Sequence, residues 1–374
     1  MNAIQKNNRY ERQITLHEFG EAGQKKLAQA RILVIGAGGL GCPALQYLAA
    51  VGIGTIGIVD FDVVALSNLQ RQTLYTVADI GKSKVIVAAK RLEALNPEIN
   101  IRTYNLQITQ NNAFEILSEF DLIVDGSDNF TTRYLVNDAC ILLNKPLIYG
   151  AVLRFEGQIG VFNLFDAETN IKTNYRDLFP DSSKLSEAIS CNDVGVLGVI
   201  PGIIGTMQAA EAIKICAGIG KVLSNKIVTY NALQNTFYDF EIVPNPASQA
   251  TIPKNEFEFL NFNYEVFCNT SPFENEISTS VFDTFLVSRN CVIIDVREKD
   301  ELPRIAEFET ILIPLSQLKN SMQKIPLKKT VIFICKSGIR SQKAAVLLKE
   351  KQPQCEIFSL KGGLDSWKKY SNKQ

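Results

Sequence analysis

The sequence predicts an α/β protein in two parts: a doubly wound, mostly parallel sheet, followed by a second, smaller α/β unit. Three observations carry this. From Arg31 onward, short β-branched runs alternate with helical stretches in the rhythm of βαβ units. A shorter series of the same kind begins at Cys291, beyond an interval where prolines mix with Asn, Ser, Thr and Glu. The length of 374 residues also exceeds the roughly 100 to 200 that one domain ordinarily uses.

In chain order the first series reads RILVIG (31–36), a helix over Cys42–Val51, TIGIVD (55–60), a helix over Ser83–Leu95 and DLIVDG (121–126). PLIYGAV, GQIGVFN, KIVTYN and FYDFEIV add strands, the later ones alternating like antiparallel or edge strands. This places a first domain over 1–245. Residues 246–272 read as a linker whose scattered aromatics can dock on a domain surface. The second domain, 273–374, takes CVIIDVRE, TILIPL, TVIFICK, a helix over Ser341–Lys351, CEIFSL and a last helix around Trp367.

Composition narrows the function classes. With 46% apolar residues and 39 basic side chains against 39 acidic ones, the chain is balanced, and neither nucleic acid nor a membrane is expected as partner. Met1–Gln13 is polar and lacks the apolar run of a secretory signal, which predicts a cytoplasmic protein. The uncharged stretch Val194–Ala210 is broken by glycines and Pro201, so a buried loop and helix is expected there rather than a membrane span. The eight cysteines include no CxxC pair, which predicts reduced thiols and no structural zinc. His17, the single histidine, lies among polar residues as a surface side chain, so histidine-based catalysis is not expected.

Strand RILVIG runs into Gly36-Ala37-Gly38-Gly39-Leu40-Gly41, where glycines allow a tight turn and bring backbone amides toward phosphates at a helix N-terminus. Asp60 closes the next strand 19 residues past Gly41, the spacing of a carboxylate on a ribose hydroxyl. So far a dehydrogenase and an ATP enzyme fit equally. Downstream come Asn68, Arg71 and Lys84, and cations here would stabilise charge on a leaving pyrophosphate; solvated surface charges are the other reading. The strand ending at Asp125 is followed by Ser127, Asp128 and Asn129, with Arg133 one turn on. Asp128 could hold Mg²⁺ on the phosphates, or Ser127 or Asp128 could merely cap a helix.

Together the stretches RYERQITL, GAGGLGCP, VDFDVVALSNLQRQTLY, DGSDNFTTR, EGQIGVFN and CNDVGVLGVIPGIIGTMQAAEAIK resemble the MoeB/ThiF adenylyltransferases, relatives of ubiquitin-activating enzymes. The resemblance implies a Rossmann-like sheet with Gly39, Asp60, Asn68, Arg71, Lys84 and Asp128 on ATP and magnesium. It also implies a homodimer in which Arg12 reaches into the partner's site. The implied reaction is attack of a carrier protein's C-terminal glycine carboxylate on the α-phosphate of ATP, with no protein nucleophile. One departure stands out: where many relatives carry paired cysteines for zinc, this chain has Asn174–Asp177 and, after Pro246, Ala-Ser-Gln-Ala.

At the other end, Cys335-Lys336-Ser337-Gly338-Ile339-Arg340 directly follows the apolar strand TVIFI. A cysteine at a strand-to-helix turn sits in a nest of amides that can hold a persulfide; a cysteine merely ending a core strand is the alternative. With IDVRE, IPL and LKGGLDSW, the region 273–374 resembles a rhodanese domain. Four residues separate Cys335 from Arg340, one fewer than cysteine-based phosphatases usually place there, which favours a smaller sulfur anion. By resemblance Cys191 would link to the carrier or resolve an acyl-persulfide, though a buried, inert Cys191 is also open. Cys42, Cys140, Cys216, Cys291 and Cys355 read as core residues.

The partners implied are a ubiquitin-like sulfur-carrier protein and a sulfur donor such as a cysteine desulfurase or thiosulfate. SNLQRQTLY and the fused rhodanese lean toward the molybdopterin-type carrier, with the thiamine pathway as the alternative. Two rival readings remain, a non-catalytic nucleotide-dependent scaffold and a nicotinamide oxidoreductase; the second lacks a candidate proton donor.

Overall fold

Strand β1 (Arg31–Ile35) lies inside the first sheet because its alternate side chains bury on opposite faces. Ile32 and Val34 point into one apolar cluster, Leu33 and Ile35 into another. The computed structural model describes residues 3–180, 195–264, 267, 275–288, 290–298, 301–326 and 330–371. The chain divides into two units, Met1–Thr270 and Ser271–Gln374.

In the first unit, helices α1 (Ala3–Ile14) and α2 (Gly20–Gln29) precede β1; α3 (Gly41–Ala50), β2 (Thr55–Val59), α4 (Lys84–Leu95) and β3 (Asn100–Tyr104) follow. After α5 (Gln110–Ser118) the chain returns to the other side of β1 as β4 (Leu122–Asp125), then α6 (Phe130–Leu142) and β5 (Leu147–Leu153). The sheet order is β3-β2-β1-β4-β5 and then β6 (Glu156–Phe162), β7 (Lys226–Asn231) and β8 (Thr236–Glu241). β1 pairs in parallel with both β2 and β4, which makes the β1/β4 gap the switch point where ligands bind in such sheets. The wing from β5 to β8 is antiparallel, as its alternation suggested.

Between β6 and β7 come the short helix α7 (Tyr175–Leu178) and the long helix α8 (Val199–Ala217). By length and composition α8 could cross a membrane. Its place is the core: Ala209 and Ala212 pack in the β1 cluster, Ile200 and Ile204 lie with Ile159 of β6, and buried Gln208 donates to the Asp125 carbonyl at 2.8 Å.

The stretch read as a linker belongs, as far as it is described, to the first unit. It forms α9 (Pro246–Gln249) and α10 (Glu256–Asn261), and Phe259 and Tyr264 are buried in that unit's core. Gln110 Nε2 ties it down by donating to the carbonyls of Phe259, Leu260 and Phe262. Phe259 and Tyr264 bury too much apolar surface for this stretch to hang free, and the division between the units falls between residues 270 and 271, inside the stretch read as a linker.

The two stretches noted for lacking paired cysteines, Asn174–Asp177 and the residues from Asn245 on, are joined by hydrogen bonds. Asp177 accepts from the Asn245 amide at 2.8 Å and from Ser248 Oγ at 2.7 Å. Next to it the buried Arg176 guanidinium meets Asp138 at 2.9 and 2.6 Å, donates to Thr251 Oγ1 at 3.2 Å and stacks over Tyr134, Phe262 and Phe267.

The second unit is a parallel sheet ordered β11-β10-β12-β13-β9, built from β9 (Glu276–Ile277), α11 (Thr279–Ser288), β10 (Cys291–Asp295), β11 (Ile311–Leu312), α12 (Leu315–Ser321), β12 (Thr330–Ile334), α13 (Ile339–Lys351), β13 (Ile357–Leu360) and α14 (Gly363–Ser371). Every residue of β12 is buried, as expected for a strand covered on both faces.

Candidate functional site

The first site grows out of the turn after β1. Gly36 takes φ +89°, and a methyl group on Gly41 would lie 1.8 Å from the Gly36 carbonyl oxygen, so the turn can close onto α3 only with glycine there. The next peptide is pinned on both sides: the Ala37 amide donates to Asp60 Oδ2 at 2.8 Å, and its carbonyl accepts from Tyr75 Oη at 2.9 Å. Across the switch point, Asn129 Oδ1 accepts from the Thr132 amide at 2.8 Å and caps α6. The cap role weighed for Ser127 and Asp128 therefore falls to Asn129, and Asp128 stays exposed at the rim.

A cavity of about 350 Å³ opens between these two turns. It is lined by Gly36, Gly38, Gly39, Asp60, Arg71, Lys84, Asp128 and Asn129, so the structure brings eight of the expected residues together. Lys84, its side chain only 5% exposed, lies 2.8 Å from Asp62 Oδ2 and 4.0 Å from Asp60 Oδ2. Arg71 is steadied by donating Nη1 to the Ser67 carbonyl at 3.0 Å. Gly41, Asn68 and Arg12 do not line the cavity. Gly41 serves the turn, Asn68 Oδ1 accepts from the Ala65 amide within its own short turn, and Arg12 is exposed on α1.

Sequence reading missed part of the lining. Gln72 Oε1, Ser127 Oγ and Arg133 Nε are buried at the cavity without a hydrogen-bond partner. Buried polar atoms in native proteins are normally paired, so three orphans around one cavity ask for a polar ligand. Arg133 Nη2 donates to the Ser127 carbonyl at 2.9 Å, and burial raises the neighbouring Asp125 carboxyl above its ordinary range against the pull of Arg133. The set of glycine turn, two cations, an orphaned donor on Arg133, an orphaned hydroxyl and acceptor, and a rim carboxylate suits a nucleoside triphosphate. All three residues with orphaned atoms stand in stretches already quoted, Gln72 in SNLQRQTLY and Ser127 and Arg133 in DGSDNFTTR, but nothing local marks which of their atoms the fold leaves unpaired.

The second site lies where β12 turns into α13. Gly338, at φ +93°, places its amide 3.1 Å from Cys335 Sγ, and Ser341 Oγ stands 3.5 Å from the same sulfur. Ser359 Oγ donates to Ser341 Oγ, which donates to the Gly338 carbonyl. From the start of α14, the amides of Leu364 and Asp365 donate to the carbonyls of Cys335 and Lys336 at 2.9 and 3.0 Å. Lys336 and Ser337 are exposed, and Ile339 begins α13. Arg340 forms a bidentate pair with Glu301, and that guanidinium holds the Glu301 carboxyl at about 2. Arg297 is bound in turn by Asp295.

Cys191 lies outside the described residues. Among the other described cysteines, burial pushes the Cys42 and Cys216 thiols up to about 12 and Cys140 well above its usual value, which leaves them unreactive. Cys355 is buried, Cys291 half-buried, and His17 exposed.

Comparison with known proteins gives concordant matches. The ThiF family model matches residues 10–251, and the rhodanese-like domain model matches residues 281–370. The "Probable adenylyltransferase/sulfurtransferase MoeZ" of Mycobacterium tuberculosis is 40% identical over 371 residues, covering 96% of this chain and 92% of its own length. The "Sulfur carrier protein adenylyltransferase" of Thermus thermophilus is 47% identical over 239 residues, covering 64% of this chain and 88% of its own. Among solved structures, E. coli MccB with ATP superposes with a TM-score of 0.54 at 24% identity, over 66% of this chain and 74% of MccB, a likeness of fold.

Proposed function

Because the chain belongs to the ThiF family and carries a rhodanese-like domain behind it, we propose that it activates the C-terminal glycine of a ubiquitin-like sulfur-carrier protein with ATP and then replaces an oxygen of that carboxylate with sulfur. The carrying observation is the switch-point cavity, where Lys84, Arg71 and the orphaned Gln72, Ser127 and Arg133 atoms face one space.

In this reading Asp60 holds the ribose and the turn from Gly36 to Gly41 cradles the phosphates. Asp128 would hold Mg²⁺ accompanying the nucleotide, since one carboxylate plus phosphate oxygens is the usual set for that ion. The carrier's carboxylate oxygen attacks the α-phosphorus, the bond to the β-phosphate oxygen breaks, and pyrophosphate leaves with its charge met by Lys84 and Arg71. A second copy of the chain would supply Arg12, which reaches no part of its own cavity. No base is required, and positioning does most of the work.

The sulfur half follows from Cys335. Its persulfide attacks the carrier's acyl-adenylate, expels AMP and forms an acyl-persulfide; a second thiol, Cys191 by resemblance, then takes the Cys335 sulfur into a disulfide and frees the thiocarboxylate. The molybdopterin-type carrier is the preferred partner, on SNLQRQTLY and the fused rhodanese.

Intact-mass analysis of candidate carriers, incubated with enzyme, ATP, Mg²⁺ and a sulfur donor, should show one oxygen exchanged for sulfur. Cys335→Ala should keep carrier-dependent ATP–pyrophosphate exchange and lose that mass change; loss of both would break the division of labour.

A further inference from the structure

Helix α1 is fastened to the first unit at three points. Arg9 Nη1 donates to the Leu95 carbonyl at 2.9 Å, and Gln13 Nε2 donates to the Val51 carbonyl at 3.0 Å. These carbonyls close α4 and α3, where they lack partners inside the helix, and the Arg9 charge also meets the negative end of the α4 dipole. Between them Tyr10 lays its ring on Gly52, where a methyl group would come within 2.6 Å of Cζ, and its hydroxyl accepts from Asn96 Nδ2 at 2.8 Å. Asn96 is wholly buried at the end of α4; its amide also donates to the Ala49 carbonyl at 2.7 Å, and Oδ1 accepts from the Glu98 amide at 3.3 Å. Both ends of the Asn96 amide are thus tied down, so Tyr10 rests on a fixed point.

Two residues past Tyr10, about 200° round the helix, Arg12 is exposed and makes no hydrogen bond or ion pair among the described residues. A guanidinium whose backbone is held while its donors stay free is prepared for an anion on another molecule. We propose that the Tyr10–Asn96 contact is a positioning device: it fixes the bearing of α1 and so aims Arg12 at the nucleotide in the cavity of a second copy of the chain. It rests on the reading of Arg12 as a residue that acts in the partner's cavity. Neither Tyr10 nor Asn96 lines the chain's own cavity, so their effect on the reaction passes through Arg12. One helix then serves two cavities, since α4 starts at Lys84 in its own cavity and reaches Asn96 about 18 Å further on. Such aim matters because displacing a reacting or charged group by about 1 Å can cost about a hundredfold in rate.

The test uses the full-length protein with ATP, Mg²⁺ and a ubiquitin-like carrier of the molybdopterin-synthase type, and reads carrier-dependent ATP–pyrophosphate exchange. Tyr10→Ala removes the contact from its half-buried side and leaves Asn96 bonded to Ala49 and Glu98; Asn96→Ala removes it from the buried side. Each should lower maximal exchange by about tenfold or more. Mixed dimers then show whether the loss lies in the chain's own cavity or in the arginine it supplies. A chain whose cavity is disabled by Lys84→Met together with Asp128→Ala keeps its own Arg12. Purified mixed dimers of that chain with Tyr10→Ala, Asn96→Ala or Arg12→Ala each hold one intact cavity served by one intact α1, so each should recover about half of the unaltered rate. Recovery with Arg12→Ala but not with Tyr10→Ala or Asn96→Ala would mean that the contact serves only its own chain, and overturns the proposal; so does unaltered exchange in both single variants. If the Arg12→Ala mixture fails to recover, or no dimer forms, the reading of Arg12 falls and this inference with it, while exchange by the unaltered protein still supports the proposed function. No exchange by the unaltered protein would fell the adenylylation itself.

Discussion

Arg176 is the position where a single change should test the first unit's construction most sharply. Arg176→Met removes two charge-assisted hydrogen bonds to Asp138, one to Thr251 and a guanidinium stacked over three rings. Asp138, fully buried, is left with the Tyr264 hydroxyl at 2.9 Å and the Asn137 amide at 3.1 Å. Breaking a buried pair from one side typically costs about 3–5 kcal/mol. At roughly 2–4 °C per kcal/mol for a unit of this size, its melting point should fall by about 6–20 °C. Calorimetry should show that transition moving while the transition of the second unit stays in place. Arg176→Met with Asp138→Leu should recover much of the loss, because an apolar pair leaves no stranded charge. A single-variant cost below about 1 kcal/mol, or a double variant worse than the single, would refute the argument.

Three further outcomes are expected. Lys84→Met should lower carrier-dependent ATP–pyrophosphate exchange by about 10²–10³ through the maximal rate, the usual loss when one preorganised charge on a departing group is removed; retained exchange would take Lys84 out of the chemistry. Gln72→Leu, which removes the unpartnered acceptor Oε1, should weaken ATP binding in equilibrium titrations by about tenfold without lowering stability, since the loss falls on a bond accepted only from ligand. The Glu301 carboxyl is lowered from 4.5 to about 2 by Arg340, so its contribution to the second unit is fully present above pH 4.5 and is lost as pH falls toward 2. Urea midpoints of that unit measured down this range should decline less steeply for Glu301→Gln.

Much of the fold was legible because periodicity reports which faces are buried. RILVIG and TVIFI read as strands covered on both sides, and β1 and β12 are such strands. The antiparallel wing was visible in its alternation. Less legible was β3, Asn100–Tyr104, an edge strand whose residues are exposed or half-buried and so lack an apolar run. The stretch read as a linker docks its aromatics as the sequence allowed, but how deeply Phe259 and Tyr264 enter the core was not legible, because they sit among polar neighbours in sequence. At the nucleotide cavity, residues of the quoted motifs came together, whereas the part played by Ser127 and Arg133, named from one of those motifs, was hidden, since it depends on which atoms the fold leaves unpaired.

Both sites use one backbone device and differ in how its charge is balanced. In each unit a parallel strand ends, a glycine takes positive φ near the turn, and a helix begins: Gly36 before α3, Gly338 before α13. Such turns direct amides at an anion whatever the side chains are. What distinguishes them is counter-charge. In the first unit Lys84 is paired with Asp62, but Arg71 makes its hydrogen bond to a carbonyl, which leaves one cation for the cavity, whereas Arg340 in the second is paired with Glu301. The same turn should therefore hold a polyanion in one place and a singly charged sulfur in the other. A carboxylate placed beside Arg71 in the first unit should therefore weaken nucleotide binding while leaving the turn itself folded.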